Sequence, residues 1–403
     1  MKYLLISFIV LFILRVIFLG VQNPLLQYVI PFTLIGLAIV ILISSEILKL
    51  YFFKKKYFVY FVFFIGLLVF SLGISQFNNK ELIFSLTDVF KFLTMNSIFV
   101  VFFYTGWRGH IIGVNRALVS LVFLHVLIGV VGYFIGLGRE FGGIYRPYGI
   151  IGSVNVLANL ALFSSAFFGA KAILARKMTF SMIIFLFSLI LVFLSATLKN
   201  VLVLCALPVL YVLMTSKKPI KSLFYIIIIV IPTLVLLAIT TPVLDRLNEA
   251  LVAGVSLNVT QGDQLESSAQ WRILHWSLLL KDWYFNFFWQ GAGVGQVTQM
   301  NALKTASGDG YNAHSDFVGF FVELGPLLFL GFLFFQLYIV KYLYKNSQNI
   351  YSKNYINFNA LFYSFLAMFF AMSFGPVVYS LAYFYIFWAF LGLIIGDEYR
   401  VKK

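Results

Sequence analysis

The chain has 403 residues, 62% of them hydrophobic and 11% charged, with a formal net charge of +15 and a mean hydropathy of +0.98. Those values exclude a single soluble core and place the chain in a membrane. The one cysteine, Cys205, excludes a disulfide framework and a paired-thiol metal or redox site. Inside an apolar run, its expected role is packing.

A helix needs roughly 20 apolar residues to cross the hydrocarbon, so about a dozen crossings fit. In chain order, apolar segments fall near 3–20, 28–47, 57–75, 85–105, 117–136, 155–173, 178–196, 200–216, 221–240, 316–340, 355–373 and 376–396. The first is read as an uncleaved span, because Arg15 interrupts it and no small-residue cleavage site follows. The expected fold is an all-α polytopic membrane protein of about 12 helices, with one long outer-face loop between spans 9 and 10. The chain divides accordingly into residues 1–240, 241–313 and 314–403.

Lysine and arginine are held in excess on the cytoplasmic side of short loops. When the loops are numbered alternately, one side takes 19 of the 29 basic residues, which implies two cytoplasmic termini. Most of the net charge therefore follows from topology. The basic residues are scattered with no basic stripe, which argues against a nucleic-acid partner. The outer face keeps Lys80, Arg139, Arg146, Lys199, Arg246, Arg272, Lys281 and Lys304, where topology disfavours them.

Four of those lie in the connection of residues 241–313, too long for a simple turn. It opens with a short amphipathic helix after Pro242, "TPVLDRLNEALVAGV", continues through the polar tract "SLNVTQGDQLESSAQ", and resumes as an amphipathic helix, "WRILHWSLLLKDW", expected on the membrane surface. The glycine-rich turn "FWQGAGVGQ" follows. Gly291, Gly293 and Gly295 are no nucleotide loop, since no βαβ unit surrounds them. They mark a place where backbone passes close to something.

Arg146 sits in "GGIYRPYGIIGSVNVLAN", a glycine-rich outer loop that also carries Tyr145, Gly149 and Asn155. Glycine lets backbone approach a ligand, and arginine offers a planar fork suited to phosphate oxygens. A loop arginine that only stabilises turns is the plainer alternative. Lys199 in "LSATLKNVLVL" sits where two apolar runs meet in a tight turn, at a depth where charge is costly and implies a partner or snorkelling to headgroups. Arg272 shares a helix face with His275 and Trp276; membrane anchoring explains the tryptophan equally well.

His314 precedes span ten, with Ser315 or Asp316 as the helix N-cap. Asp316 and Glu323 share a face of that helix, Glu323 lying about 10 Å deeper. Three titratable groups converging at a costly depth point to function. The outer face thus offers cations for an anion and a histidine with a pKa near 7 for proton transfer. No metal-ligand spacing such as HExxH or DxD is present, so the expected chemistry uses no metal and no cofactor. A departing lipid diphosphate at the interface fits Arg146, Lys199 and Arg272.

The order of these motifs, the Arg146 loop, "LSATLKN", "RLNEAL", "WRILHWSLLLKDW", "GAGVG" and "AHSDFVGFFVELGP", resembles the O-antigen polymerase and O-antigen ligase superfamily. The resemblance spans the chain in topology and residues 142–335 in motif. It implies a GT-C-type, inverting, metal-independent glycosyltransferase in the bacterial inner membrane, acting on undecaprenyl-diphosphate-linked oligosaccharides from the outer, periplasmic side. The family's diphosphate-binding arginines map to Arg146 and Arg272, and its essential histidine to His314. Lys199 departs from the usual arginine, supplying charge without a bidentate fork. His314 is expected to take the proton of an acceptor sugar hydroxyl, with Glu323 or Asp316 orienting the ring or its helix.

The Arg146 loop and "HSDFVGFFVELGP" favour the polymerase over a ligase that transfers the glycan to lipid A core. A chain-length regulator is an expected partner on the same resemblance. A twelve-span flippase or transporter is the alternative of another class, with Asp88, Lys91 and Arg15 as its central polar residues.

Overall fold

In the bilayer every backbone polar group must be satisfied within the chain, so apolar runs of span length fold as helices. The computed structural model describes residues 1–19, 28–44, 66, 69, 71–76, 78, 82–141, 143–175, 179–215, 220, 224, 231–252, 268–300, 303, 311–378 and 380–401. The order is α1 (Lys2–Ile17), α2 (Ile30–Ser44), α3 (Leu82–Trp107), α4 (Ile111–Phe134), β1 (Gly138–Phe141), β2 (Ile144–Pro147), α5 (Val154–Ala175), α6 (Phe180–Leu194) and α7 (Leu198–Thr215). It continues with α8 (Ile231–Ile239), α9 (Val243–Val252), α10 (Ser268–Asn286), a 3₁₀ turn (Val297–Gln299), α11 (Asp316–Ser347), α12 (Tyr355–Met372) and α13 (Leu381–Val401).

This is an all-α polytopic membrane architecture. Among the described residues six helices, α3, α4, α5, α11, α12 and α13, are long and apolar enough to cross a membrane, and α2, α6 and α7 are shorter apolar helices. Most of the segment expected near 57–75 and of the first part of that near 221–240 lies outside the described residues, as do most of the polar tract after α9 and the lysines at 49, 54–56, 80 and 304.

The core forms where helices touch backbone to backbone. Along α3 and α13, a methyl group at Gly106, Gly392 or Gly396 would overlap a main-chain atom of the opposite helix, the close approach that small residues permit in membranes. Phe99 and Trp388 meet edge to face across this seam, centroids 5.7 Å apart. At one end of the seam Asp397 accepts from Asn354 at 3.1 Å and from Arg400 at 2.9 Å.

Two local features position the site. The loop containing Arg146 is an antiparallel β-hairpin pairing Gly138 with Pro147 and Arg139 with Arg146, where sequence indicated only a glycine-rich loop. And α11 is kinked: Gly325, at φ 70° and ψ 170°, precedes Pro326, a conformation open to glycine that frees backbone groups for another segment.

Candidate active site

The hairpin is stapled to the α6–α7 turn by a buried guanidinium. Arg146 donates from Nε to the Ser195 carbonyl and from Nη2 to Thr197 Oγ1 at 2.8 Å. The turn itself is tight, with Ala196 at φ 49°. Two prongs of the Arg146 fork are thus spent on the chain itself, and their effect is to fix the turn from which Lys199 projects. The Lys199 ammonium lies over Gly375, where a methyl group would collide with Nζ.

Gly375 belongs to the α12–α13 connection, which is gripped from three sides. Asp316 Oδ2 accepts from the Val377 N–H at 2.6 Å and the Val378 N–H at 2.8 Å. The Asn159 amide donates to Ser380 Oγ at 2.6 Å, and Asn200 donates to Asn159 Oδ1 at 3.2 Å. Asp316 therefore orients this connection; its hydrogen bonds go to main chain rather than to the His314 ring.

His314 is set from the other side by α10. Trp276 donates its indole N–H to the Ala313 carbonyl, fixing the residue before His314. Trp271 stacks on His275, centroids 4.8 Å apart, and meets His314 edge-on at 4.9 Å. His314 has φ 53°, the left-handed region in which histidine is among the enriched non-glycine residues. Ser315 follows as the N-cap of α11, accepting from the Val318 N–H.

The expected pKa near 7 for His314 is corrected. Burial, and then the charges of Arg272, His275 and Lys199, push it down to about 4. The ring is consequently neutral at pH 7 and free to accept a proton. Burial also lowers His275, against the Tyr311 and Asn312 carbonyls, which raise it. Its ring is fully buried, so α10 turns this face into protein rather than toward lipid.

Glu323 lines the same narrow crevice as His314, Asp316, Asn312 and Pro376, an opening with room for about one water molecule. Its carboxylate accepts from the Val297 N–H at 3.2 Å, so it ties down the segment after the glycines. The glycine-rich turn is a buried strap on the α11 kink: Ala292 N–H donates to Val322 O, and Gly293 N–H to Glu323 O, both at 2.9 Å. A methyl at Gly291 would overlap the Glu323 carbonyl, one at Gly293 would strike Ser75, and one at Gly295 would meet Phe84. What their backbone approaches closely is the bundle.

The structure brings Lys199, Arg272, His314 and Asp316 into one electrostatic neighbourhood, with Glu323 on its crevice and Arg146 behind it. Tyr145 packs on Tyr133, centroids 5.4 Å apart, Gly149 against Leu157, and Asn155 is exposed at the start of α5. These three belong to the hairpin side. Asn159, Asn200, Ser380 and Trp271 were missed by sequence reasoning, although asparagines inside apolar runs are a signal of buried polar bonding.

Cations, a neutral histidine and two acidic side chains are thus gathered where loops meet helix ends in a membrane protein. Residues 183–333 match the family described as O-antigen ligase, a stretch from α6 into α11 that contains Lys199, Arg272, His314, Asp316 and Glu323. The match covers less than half of the chain and supports the O-antigen ligase and polymerase superfamily without distinguishing the two. No curated protein matches the chain in sequence.

Proposed function

We propose that the protein polymerises undecaprenyl-diphosphate-linked oligosaccharide repeat units of O-antigen or capsule type, by inverting, metal-independent glycosyl transfer on the outer face of the inner membrane. The observation that carries this reading is His314, neutral and held by Trp271 beside the charges of Arg272 and Lys199. An acceptor sugar hydroxyl attacks the anomeric carbon of the donor. The new glycosidic bond forms as the carbon–oxygen bond to the diphosphate breaks; the electron pair leaves with the diphosphate and the hydroxyl proton passes to His314. Arg272 and Lys199 stabilise the charge that develops on the leaving group. Arg146 holds the Lys199 turn.

The distribution of lysine and arginine supports cytoplasmic termini and an outward-facing site, with residues 241–313 as the outer module between two helical parts. A chain-length regulator is a partner compatible with this role. The family match equally supports a ligase that uses the same donor and lipid A core as acceptor.

The test is reconstitution of the purified protein in lipid with EDTA and an undecaprenyl-diphosphate oligosaccharide, first alone and then with lipid A core. A size ladder from the lipid-linked sugar alone is the expected result. Transfer only after core is added makes the protein a ligase, and no transfer in either mixture, given an authentic repeat unit, returns a transporter to the front.

A further inference from the structure

A second polar feature lies outside the His314 crevice. Arg15, near the end of α1, is only 5% exposed, yet its Nε and Nη1 have no hydrogen-bond partner and it has no carboxylate partner among the described residues. It lines a cavity of about 480 Å³ formed by the ends of α1, α2, α3 and α13. Lys91 lines the same cavity, paired with Asp88 at 2.5 Å. The remaining wall is largely apolar and aromatic, including Leu19 and the Phe32–Phe90 pair, centroids 4.5 Å apart.

A buried guanidinium with open donors is costly in a low-dielectric setting unless an anion meets it. The volume lies in the range of ligand sites. An apolar wall beside two cations suits an amphiphile with an anionic head. We propose that this cavity binds a phosphorylated lipid, its phosphate against Arg15 and Lys91 and its chain along the Phe32–Phe90 wall. The site is adjacent to the crevice: a small void lined by Lys91 and Tyr385 reaches Val378, two residues from Pro376. The inference stands on this cavity and does not depend on the catalytic reading. Two lipids share the required chemistry, a polyprenyl phosphate carrier and a bilayer phospholipid such as phosphatidylglycerol.

The experiment follows thermal unfolding of the delipidated full chain in detergent, titrated with undecaprenyl phosphate, phosphatidylglycerol or diacylglycerol. Either phosphorylated lipid is expected to raise the midpoint and diacylglycerol to leave it unchanged. Arg15→Gln should weaken the half-saturating concentration about tenfold, the loss of a charge-assisted contact. Thr87→Phe, which fills the cavity with Arg15 intact, should do the same, and it decides alone if Arg15→Gln does not fold. A tenfold preference for undecaprenyl phosphate assigns the site to the carrier, and equal response assigns it to bilayer lipid. Stabilisation by diacylglycerol, or wild-type response in the folded cavity variants, overturns the proposal.

Discussion

Trp271 meets His314 edge-on, ring centroids 4.9 Å apart with the planes at 84°, while stacking on His275. The indole is therefore the part that fixes where the His314 ring stands, and small displacements of a reacting group are costly to rate. Trp271→Leu is expected to lower kcat about 10²-fold with KM little changed. Trp271→Phe, which keeps an aromatic edge, retains most of the activity. Steady-state chain-growth assays of the two variants check this; equal losses would contradict a positioning role.

The pH dependence follows from His314. Burial, followed by Arg272, His275 and Lys199, holds it at about 4. The neutral ring is the base, so activity is present above that pKa and lost as pH falls through it. The acid limb of kcat/KM, which reports the free enzyme, is expected near pH 4. A bound diphosphate offsets the neighbouring cations and raises the pKa of the ring, so the acid limb of kcat lies at higher pH. Parallel pH profiles measure both limbs, and a kcat limb at or below the kcat/KM limb goes against the mechanism.

Arg146 grips Ser195 and Thr197 with two different nitrogens, a geometry lysine cannot copy. Arg146→Lys is expected to cost about 1.5–3 kcal/mol of stability, the range for hydrogen bonds to a charged group. Activity falls further than stability accounts for, because the Lys199 turn is no longer fixed. Thermal unfolding beside kcat separates the two effects.

Gly291 has φ 76°, and a methyl there would overlap the Glu323 carbonyl. Gly291→Ala combines strain with a collision, and a loss on the order of 3 kcal/mol is expected. Gly113, in the first turn of α4, faces open space, so Gly113→Ala should be neutral or stabilising by about 0.5–1 kcal/mol. Unfolding midpoints of the two variants compare them directly.

The membrane helices were legible in the sequence because lipid imposes one length and one polarity on every span. The start of α9 after Pro242 and the existence of α10 were legible too, from a breaker and from helical periodicity. The hairpin at Gly138–Pro147 was not, since four-residue strands between glycines leave too little alternation to read. In the site, His314, Arg272 and Lys199 stood out because charge at a membrane surface is costly. The duties of Asp316 and Glu323 did not. Their sequence spacing shows a shared helix face, but their partners, Val377, Val378 and Val297, are backbone groups brought in from distant segments. Trp271 was hidden for a related reason: an aromatic at an interface reads as an anchor until its neighbours are known.

The most direct test of the central claim is the rate of chain growth by His314→Ala in proteoliposomes supplied with undecaprenyl-diphosphate repeat units and EDTA. Loss of a general base predicts a fall of about 10²–10⁴-fold, with membrane insertion and unfolding midpoint kept. Polymer of wild-type length at a wild-type rate would contradict the assignment of His314 as the base.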